Sequence, residues 1–206
     1  FGCRTVAWLL GVNKNTVQRI FQIKGWQVRK RAVGMRPRIE VVPSAAAPNE
    51  RWSTAGKDGR ASLALVINCH TRELLGWHLP RSGKATTASA ALEHALIARF
   101  GTLGKVETEF LLRSDNGLVF TSRHFTAIVR SYGLKQEFIT PHCPRQNGLV
   151  ERVIRTLKEQ CVHRHRFESI QHAMRVISDW IAFYNNRRPH QALAMRTPTE
   201  AFTLAA

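Results

Sequence analysis

Acid is scarce in this sequence. Fourteen Asp and Glu stand against 31 Lys and Arg in 206 residues, a formal net charge of +17, more than solubility asks of a chain this size. That imbalance argues against cationic partners and makes a polyanion the expected one. Paired cysteines are missing too: Cys3, Cys69, Cys143 and Cys161 stand far apart with no C-x-x-C, which favours reduced thiols over a disulfide framework. No apolar run approaches the roughly 18 residues of a membrane span, and no charged stretch precedes an apolar core as in a signal peptide. A cytoplasmic protein that binds no membrane is therefore expected. The phosphate-cradling G-x-x-x-x-G-K-[ST] does not occur, so no nucleotide cofactor is expected. The sequence opens on Phe1 rather than Met, from which an upstream truncation, or the need for the product of an upstream frame, is expected.

With 44% hydrophobic residues, the chain can bury about 70% of its unfolded surface as one domain with a small appendage. Its pattern changes along the way. The first segment, RTVAWLLGVNKNTVQRIFQIKGW, has two short apolar stretches around Gly11-Val12-Asn13. This is a helix-turn-helix pattern: Asn13 caps the second helix, Ala7 allows the crossing, Val12 and Val17 form a small core, and Ile20 and Phe21 continue the helical spacing. Lys14, Asn15 and Gln18 then point outward, where a DNA groove would lie. The basic stretch that follows, with Arg29, Lys30 and Arg31, reads as a phosphate-contacting arm or a solvated linker. Residues 1–38 form this helix-turn-helix-like segment and arm, 39–50 a proline- and alanine-rich linker, and 51–206 the main domain.

In the main domain, SLALVINC (62–69) and ELLGWHL (73–79) read as a hairpin of strands. Strands at 110–117 and 135–140 alternate with helices at 85–101 and 122–133, and a long helix is expected over 150–167. Strands in hairpins followed by strands alternating with helices indicate an α/β fold with a mixed sheet. Asp115 ends a buried strand in Ser114-Asp115-Asn116-Gly117, whose Asn-Gly turns the chain. Glu151 opens the long helix, and Glu151, Arg155 and Lys158 share a stripe beside the apolar one. An acid with two cations on one helix edge suits a metal ligand flanked by phosphate contacts, although Asp115 also serves a turn and Glu151 also suits a helix dipole. His142-Cys143 and His163-x-His165 fit no zinc spacing and read as polar loop and solvated helix face.

The strings LLRSDNGLVFTS (111–122), ITPHCPRQNGLVERVIRTLK (139–158) and FYNNRRPHQALAMRTPTEAF (183–202), with 35 residues between Asp115 and Glu151, are jointly specific. They resemble the retroviral-integrase-type catalytic domain of bacterial insertion-sequence transposases, over roughly residues 50–202. The resemblance implies a ribonuclease H-like mixed sheet flanked by helices. It implies an Asp-Asp-Glu triad holding two Mg²⁺ or Mn²⁺ ions, and DNA strand cleavage and strand transfer on terminal repeats and target DNA, within a homo-oligomer. Two cations about 4 Å apart would activate the attacking oxygen and stabilise the leaving one at phosphorus. Asp115 matches the second Asp and Glu151 the Glu, both as catalytic metal ligands. Asn147 and Gly148 match the loop that feeds Glu151, Asn147 being expected to contact DNA with Arg155 and Lys158. The closing motif of Tyr184, Asn185, Arg188, Pro189 and His190 would pack the last helix on the sheet and begin a DNA-contacting tail.

The first acid of the triad is missing. The family pattern Trp-x-x-Asp puts it three residues after Trp52, where this sequence has Ala55 and then passes straight to Gly56-Lys57-Asp58-Gly59. Asp58, in an Asp-Gly turn signature, makes a poor substitute, and Asn68 stands where relatives commonly carry an acid. Loss of that carboxylate is expected to weaken two-metal occupancy and slow the reaction by several orders of magnitude. Two readings follow: a catalytically impaired transposase, or a non-catalytic DNA-binding remnant that occupies element ends or joins intact transposase.

Overall fold

The computed structural model describes residues 2–27, 44–57, 61–81, 85–141 and 143–205. Arg29, Lys30, Arg31, Asp58 and His142, named above, lie outside these. Two short helices, α1 (Cys3–Leu10) and α2 (Lys14–Ile23), meet at Gly11, whose φ of 63° a side chain would resist. Asn13 caps α2 by accepting the Asn15 amide at 2.8 Å. Ala7 and Val17 are buried between the helices, whereas Val12 and Ile20 are exposed. Val12 therefore departs from the expected small core: it lies in the turn outside both helices, where the crossing cannot cover it.

The main domain carries β1 (Arg51–Lys57), β2 (Leu63–Asn68), β3 (Leu74–His78), α3 (Ala85–Phe100), β4 (Leu111–Ser114), α4 (Leu118–Thr121), α5 (Arg123–Ser131), β5 (Lys135–Phe138), α6 (Gly148–Gln160), α7 (Ile170–Asn186) and α8 (Pro198–Thr203). The strands form one sheet in the order β3-β2-β1-β4-β5. β1, β2 and β3 pair antiparallel, and β4 and β5 extend the sheet parallel to β1. This is the expected mixed sheet, covered on both faces. Ala64, Val66 and Trp52 pack with α3 and α5 on one side, while Leu65, Ile67 and Ala55 pack with α6 and α7 on the other. Double burial explains why β2 is an unbroken apolar run rather than an alternating one.

Two contacts fix the helices on the sheet. A Cβ on Gly76 would lie 2.1 Å from the Ala91 carbonyl oxygen, so glycine lets the alanine face of α3 touch β3. On the other side the Asn185 side chain accepts the Leu74 amide at 3.0 Å and donates to the Leu74 carbonyl at 2.9 Å, which ties α7 to β3. α6 is shorter than expected. It stops at Gln160, and Val162–Arg164 form a 3-10 turn, because Cys161, 1% exposed, turns into the core and redirects the chain.

Candidate active site

β1 and β4 run parallel with Ser53 opposite Arg113. Two residues further along both strands, the same register sets Ala55 level with Asp115. Alternation along the strand puts Ser53 and Ala55 on the face covered by α6. Ser53 bonds to the residue before α6, and Ala55 packs in the cluster of Val150 and Ile154. Glu151 stands exposed in the first turn of that helix, next to buried Val150. Positions 55 and 115 are thus level at the carboxyl ends of β1 and β4, and the start of α6, which carries Glu151, is tied to β1 beside Ala55. Of positions 55, 115 and 151, only the last two carry an acid.

Asp115 is half-buried, and its Oδ1 accepts the Gly117 amide at 2.8 Å. Asn116 donates to the Ile139 carbonyl at 2.9 Å, which fastens this turn to the end of β5. The approach to Glu151 is held as firmly. Arg113 Nη1 donates to the Gln146 carbonyl at 2.9 Å, and Gln146 Oε1 accepts the Thr140 amide at 2.7 Å. Asn147 does not fit the expected role as a DNA contact. It is 1% exposed, accepts the Ser53 hydroxyl through Oδ1 and donates from Nδ2 to the Thr54 carbonyl at 3.2 Å. Its side chain is spent joining the start of α6 to β1, so it positions Glu151 rather than reaching a ligand. Arg155 is exposed and Lys158 half-buried on the Glu151 side of the helix, and Lys14, Asn15 and Gln18 are exposed on α2.

The basic surplus is partly internal. Glu137 on β5 bridges Arg113 Nε at 2.7 Å and Arg51 Nε at 3.0 Å, so one carboxylate clamps β1, β4 and β5. Arg99 pairs with Glu73 and stacks 3.5 Å above the Phe202 ring. Asn68, fully buried, caps the next turn by accepting the His70 and Thr71 amides at 2.9 and 3.3 Å, and it donates to Asn49 at 3.1 Å. It has no capacity left for a metal. Burial pushes the Cys69 thiol up to about 11, against the opposing pull of Arg113 and Arg51, so it stays a neutral thiol at neutral pH.

Among the described residues no group of three His, Cys, Asp or Glu is placed to hold a metal ion. Two carboxylates with water suit a single Mg²⁺. They do not fit a two-metal centre, for which the alanine at 55 supplies no donor. Sequence reasoning missed a different cluster. Arg72, Arg152 and Arg188, from three separate stretches, line one cavity of about 330 Å³ beside α1; Arg188 belongs to the closing motif, but nothing local links it to the other two, and only the fold brings them together.

An integrase core domain family matches residues 45–144, and a second integrase core domain family matches 132–198. The chain is 30% identical to an uncharacterized 31.7 kDa protein of insertion element IS407 from Burkholderia multivorans, over 91% of this chain and 68% of that protein. It is 28% identical to an uncharacterized 39.2 kDa protein of insertion element IS476 from Xanthomonas euvesicatoria, over 97% and 60%, so it spans about 60% of that relative's length. To the putative transposase InsK of element IS150 from Escherichia coli it is 27% identical over 76% and 55%. In fold it is similar to the catalytic core domain of BIV integrase, with a TM-score of 0.57, 19% identity and coverage of 76% and 95%. It is equally similar to the HTLV-2 integrase core solved with magnesium, with a TM-score of 0.56, 16% identity and coverage of 76% and 98%. No described helix is long and apolar enough to cross a membrane. By these matches the chain belongs to the insertion-element transposase family built on the integrase core domain.

Proposed function

We propose that this chain is an insertion-element transposase that retains DNA binding while its strand cleavage and strand transfer are severely impaired. The observation that carries this is Ala55, buried at 4% on the α6 face of β1, at the level of Asp115. Asp115 and Glu151 remain as the catalytic pair and would hold one Mg²⁺ or Mn²⁺, which supplies Lewis-acid polarisation of a phosphate oxygen. The chain's own contribution is to hold both carboxylates on rigid elements, through Asn147, Arg113 and Gln146. DNA is engaged by residues 1–38, with Lys14, Asn15 and Gln18 on α2 and Arg29, Lys30 and Arg31 on the arm. Residues 39–50 link this segment to the core of 51–206, where Arg155 and Lys158 flank Glu151. The protein acts in the cytoplasm, as a homo-oligomer on element ends and target DNA.

A strand-transfer assay on duplexes carrying the element's terminal repeats, with Mg²⁺ or Mn²⁺, tests the proposal. Wild-type product is expected to fall at least about 100-fold below that of a relative with all three acids, alongside metal-independent, salt-sensitive DNA binding. Product from the wild type that Asp115→Asn abolishes would overturn it. The variant Ala55→Asp provides a gain-of-function arm. Without metal the new carboxylate, buried beside Asp115, is expected to destabilise the fold by about 2–3 kcal/mol. Mn²⁺ should recover part of that loss, and indifference of the variant's unfolding midpoint to Mn²⁺ would count against position 55 as the missing ligand.

A further inference from the structure

The cavity of about 330 Å³ lies where α1, the start of α6, the β2–β3 turn and the segment after α7 meet. Arg72 enters it from the turn, Arg152 from α6 and Arg188 from beyond α7, and no Asp or Glu is among its described lining residues. No ion pair to Arg72 or Arg152 exists among the described residues. Burial lowers the pKa of Arg72, Tyr184 opposes that shift, and the nearby Arg152 charge adds a smaller lowering. His190 is held down to about 4, first by burial and then by Arg188 and Arg72, and burial pushes Tyr184 up to about 12. Both are therefore uncharged at neutral pH, and the three guanidinium groups set the sign of the cavity. Three like charges around one concavity repel one another, and an anion seated between them relieves that repulsion.

The backbone of Arg72 adds a second sign. Its φ is 62°, in the left-handed region, where a side chain with a Cβ is strained and glycine is not. The turn holds it there through the Arg72 amide, which donates to the Asn68 carbonyl at 2.9 Å, and through the Asn68 side-chain cap. A long cationic side chain is kept in a strained conformation that aims it across the turn toward α6 and α7. Arginine's planar fork matches phosphate oxygens two at a time.

We infer that this cavity is a phosphate-binding site for the DNA backbone, with Arg72, Arg152 and Arg188 as its ligands. The inference rests on the DNA-binding reading above and deepens it. Arg152 follows Glu151 on α6, about 100° around the helix, so a strand with a phosphate in the cavity runs beside the Glu151, Arg155 and Lys158 stripe. Thr5 of α1 also lines the cavity and accepts the Gln191 side-chain amide at 3.3 Å. A phosphate seated there anchors DNA at the seam between the amino-terminal helices and the core, and fixes its register against the candidate active site.

The test uses the full chain with Arg152→Gln and Arg188→Gln, and Arg175→Gln, exposed on α7 and outside the cavity, as control. Arg152 is exposed, so its variant is expected to fold as the wild type does. Duplex DNA affinity is measured across a salt titration, and thermal unfolding in sodium phosphate is compared with sodium chloride at equal ionic strength. The expected result is a logarithmic salt slope shallower by about 1 in each cavity variant, with affinity several-fold weaker at low salt and the control unchanged. Phosphate should raise the wild-type midpoint and leave that of Arg152→Gln unmoved. A wild-type salt slope in both cavity variants, with DNA binding otherwise intact, overturns the inference. Phosphate stabilisation with unchanged slopes also overturns it, assigning the cavity to free phosphate instead. Failure of the wild type to bind DNA at all is a different result: it removes the functional reading on which the inference rests.

Discussion

Replacing Asn147 by alanine separates a structural tie from a DNA contact. Asn147 is 1% exposed, as is its partner Ser53, and the amide takes part in two bonds, one from the Ser53 hydroxyl and one to the Thr54 carbonyl. Truncation leaves the Ser53 hydroxyl buried without its acceptor and the Thr54 carbonyl without the Nδ2 donor. Each orphaned buried group costs about 1–3 kcal/mol, so Asn147→Ala is expected to destabilise by about 2–4 kcal/mol. Asn147→Asp should be worse at pH 7, because it keeps the acceptor for Ser53 but turns an acceptor and a charge toward the Thr54 carbonyl. Ser53→Ala removes the hydroxyl itself, so added to Asn147→Ala it should cost little. A double-mutant cycle should therefore show coupling of about 1–2 kcal/mol. Urea unfolding followed by circular dichroism reads all four proteins, with unchanged denaturant slopes expected. A residue that only touched DNA would give the opposite pattern, with stability within about 0.5 kcal/mol of wild type and weakened DNA affinity. That pattern, or strict additivity with Ser53→Ala, would refute the tie.

Gly76→Ala places a Cβ 2.1 Å from the Ala91 carbonyl oxygen and 2.5 Å from the Ala95 amide nitrogen; backbone atoms cannot step aside, so a loss of at least about 3 kcal/mol is expected, and a melting midpoint within a few degrees of wild type would refute the close packing of α3 on β3. His190 is held at about 4 against an ordinary value near 6.5, so between these values the unfolded chain binds more protons than the folded one. Its contribution is complete above about pH 6.5 and is lost as pH falls toward 4, by at most about 3 kcal/mol. Urea midpoints at pH 7 and 4.5 should converge for His190→Gln relative to wild type, and an identical pH dependence in both proteins would refute the assignment.

Features that depend on local pattern were legible. The β2–β3 hairpin showed in two runs of strand formers around His70-Thr71-Arg72, the end of α3 in Gly101, and the two acids in strings specific enough to carry a family resemblance. Features that depend on register across distant segments were not. Arg51, Arg113 and Glu137 form one cluster only because β1, β4 and β5 align them, and their charges in the sequence look like any others. Asn147 reads as a polar loop residue until β1, more than 90 positions earlier, is seen beside it. The excess length expected for α6 has a similar origin: HRHR contains no helix breaker, and the chain turns because Cys161 finds a place in the core. Arg72 and Arg152 carry no local signal, and Arg188 shows only as part of the closing motif, with nothing to link it to the other two.

The contrast between residue 55 and the residues around it gives a physical reason why chemistry could be lost and binding kept, as proposed. A carboxylate at position 55 would sit among Leu65, Val150 and Ile154 and level with Asp115, a buried charge that without a cation costs several kcal/mol. Alanine there fills an apolar cluster at no such cost, so on the proposed reading the residue that leaves the site without a third metal ligand is also the one that suits the fold. Asn147, Arg113 and Glu137 are under the opposite constraint, since each satisfies buried partners whether or not any reaction occurs, and losing one damages the fold first. On the proposed reading, DNA affinity would rest on neither group, because it would sum many arginine and lysine contacts, each worth about one unit of salt slope. Restoring an acid at position 55 should accordingly change metal response and product formation while leaving the salt dependence of DNA binding where it was.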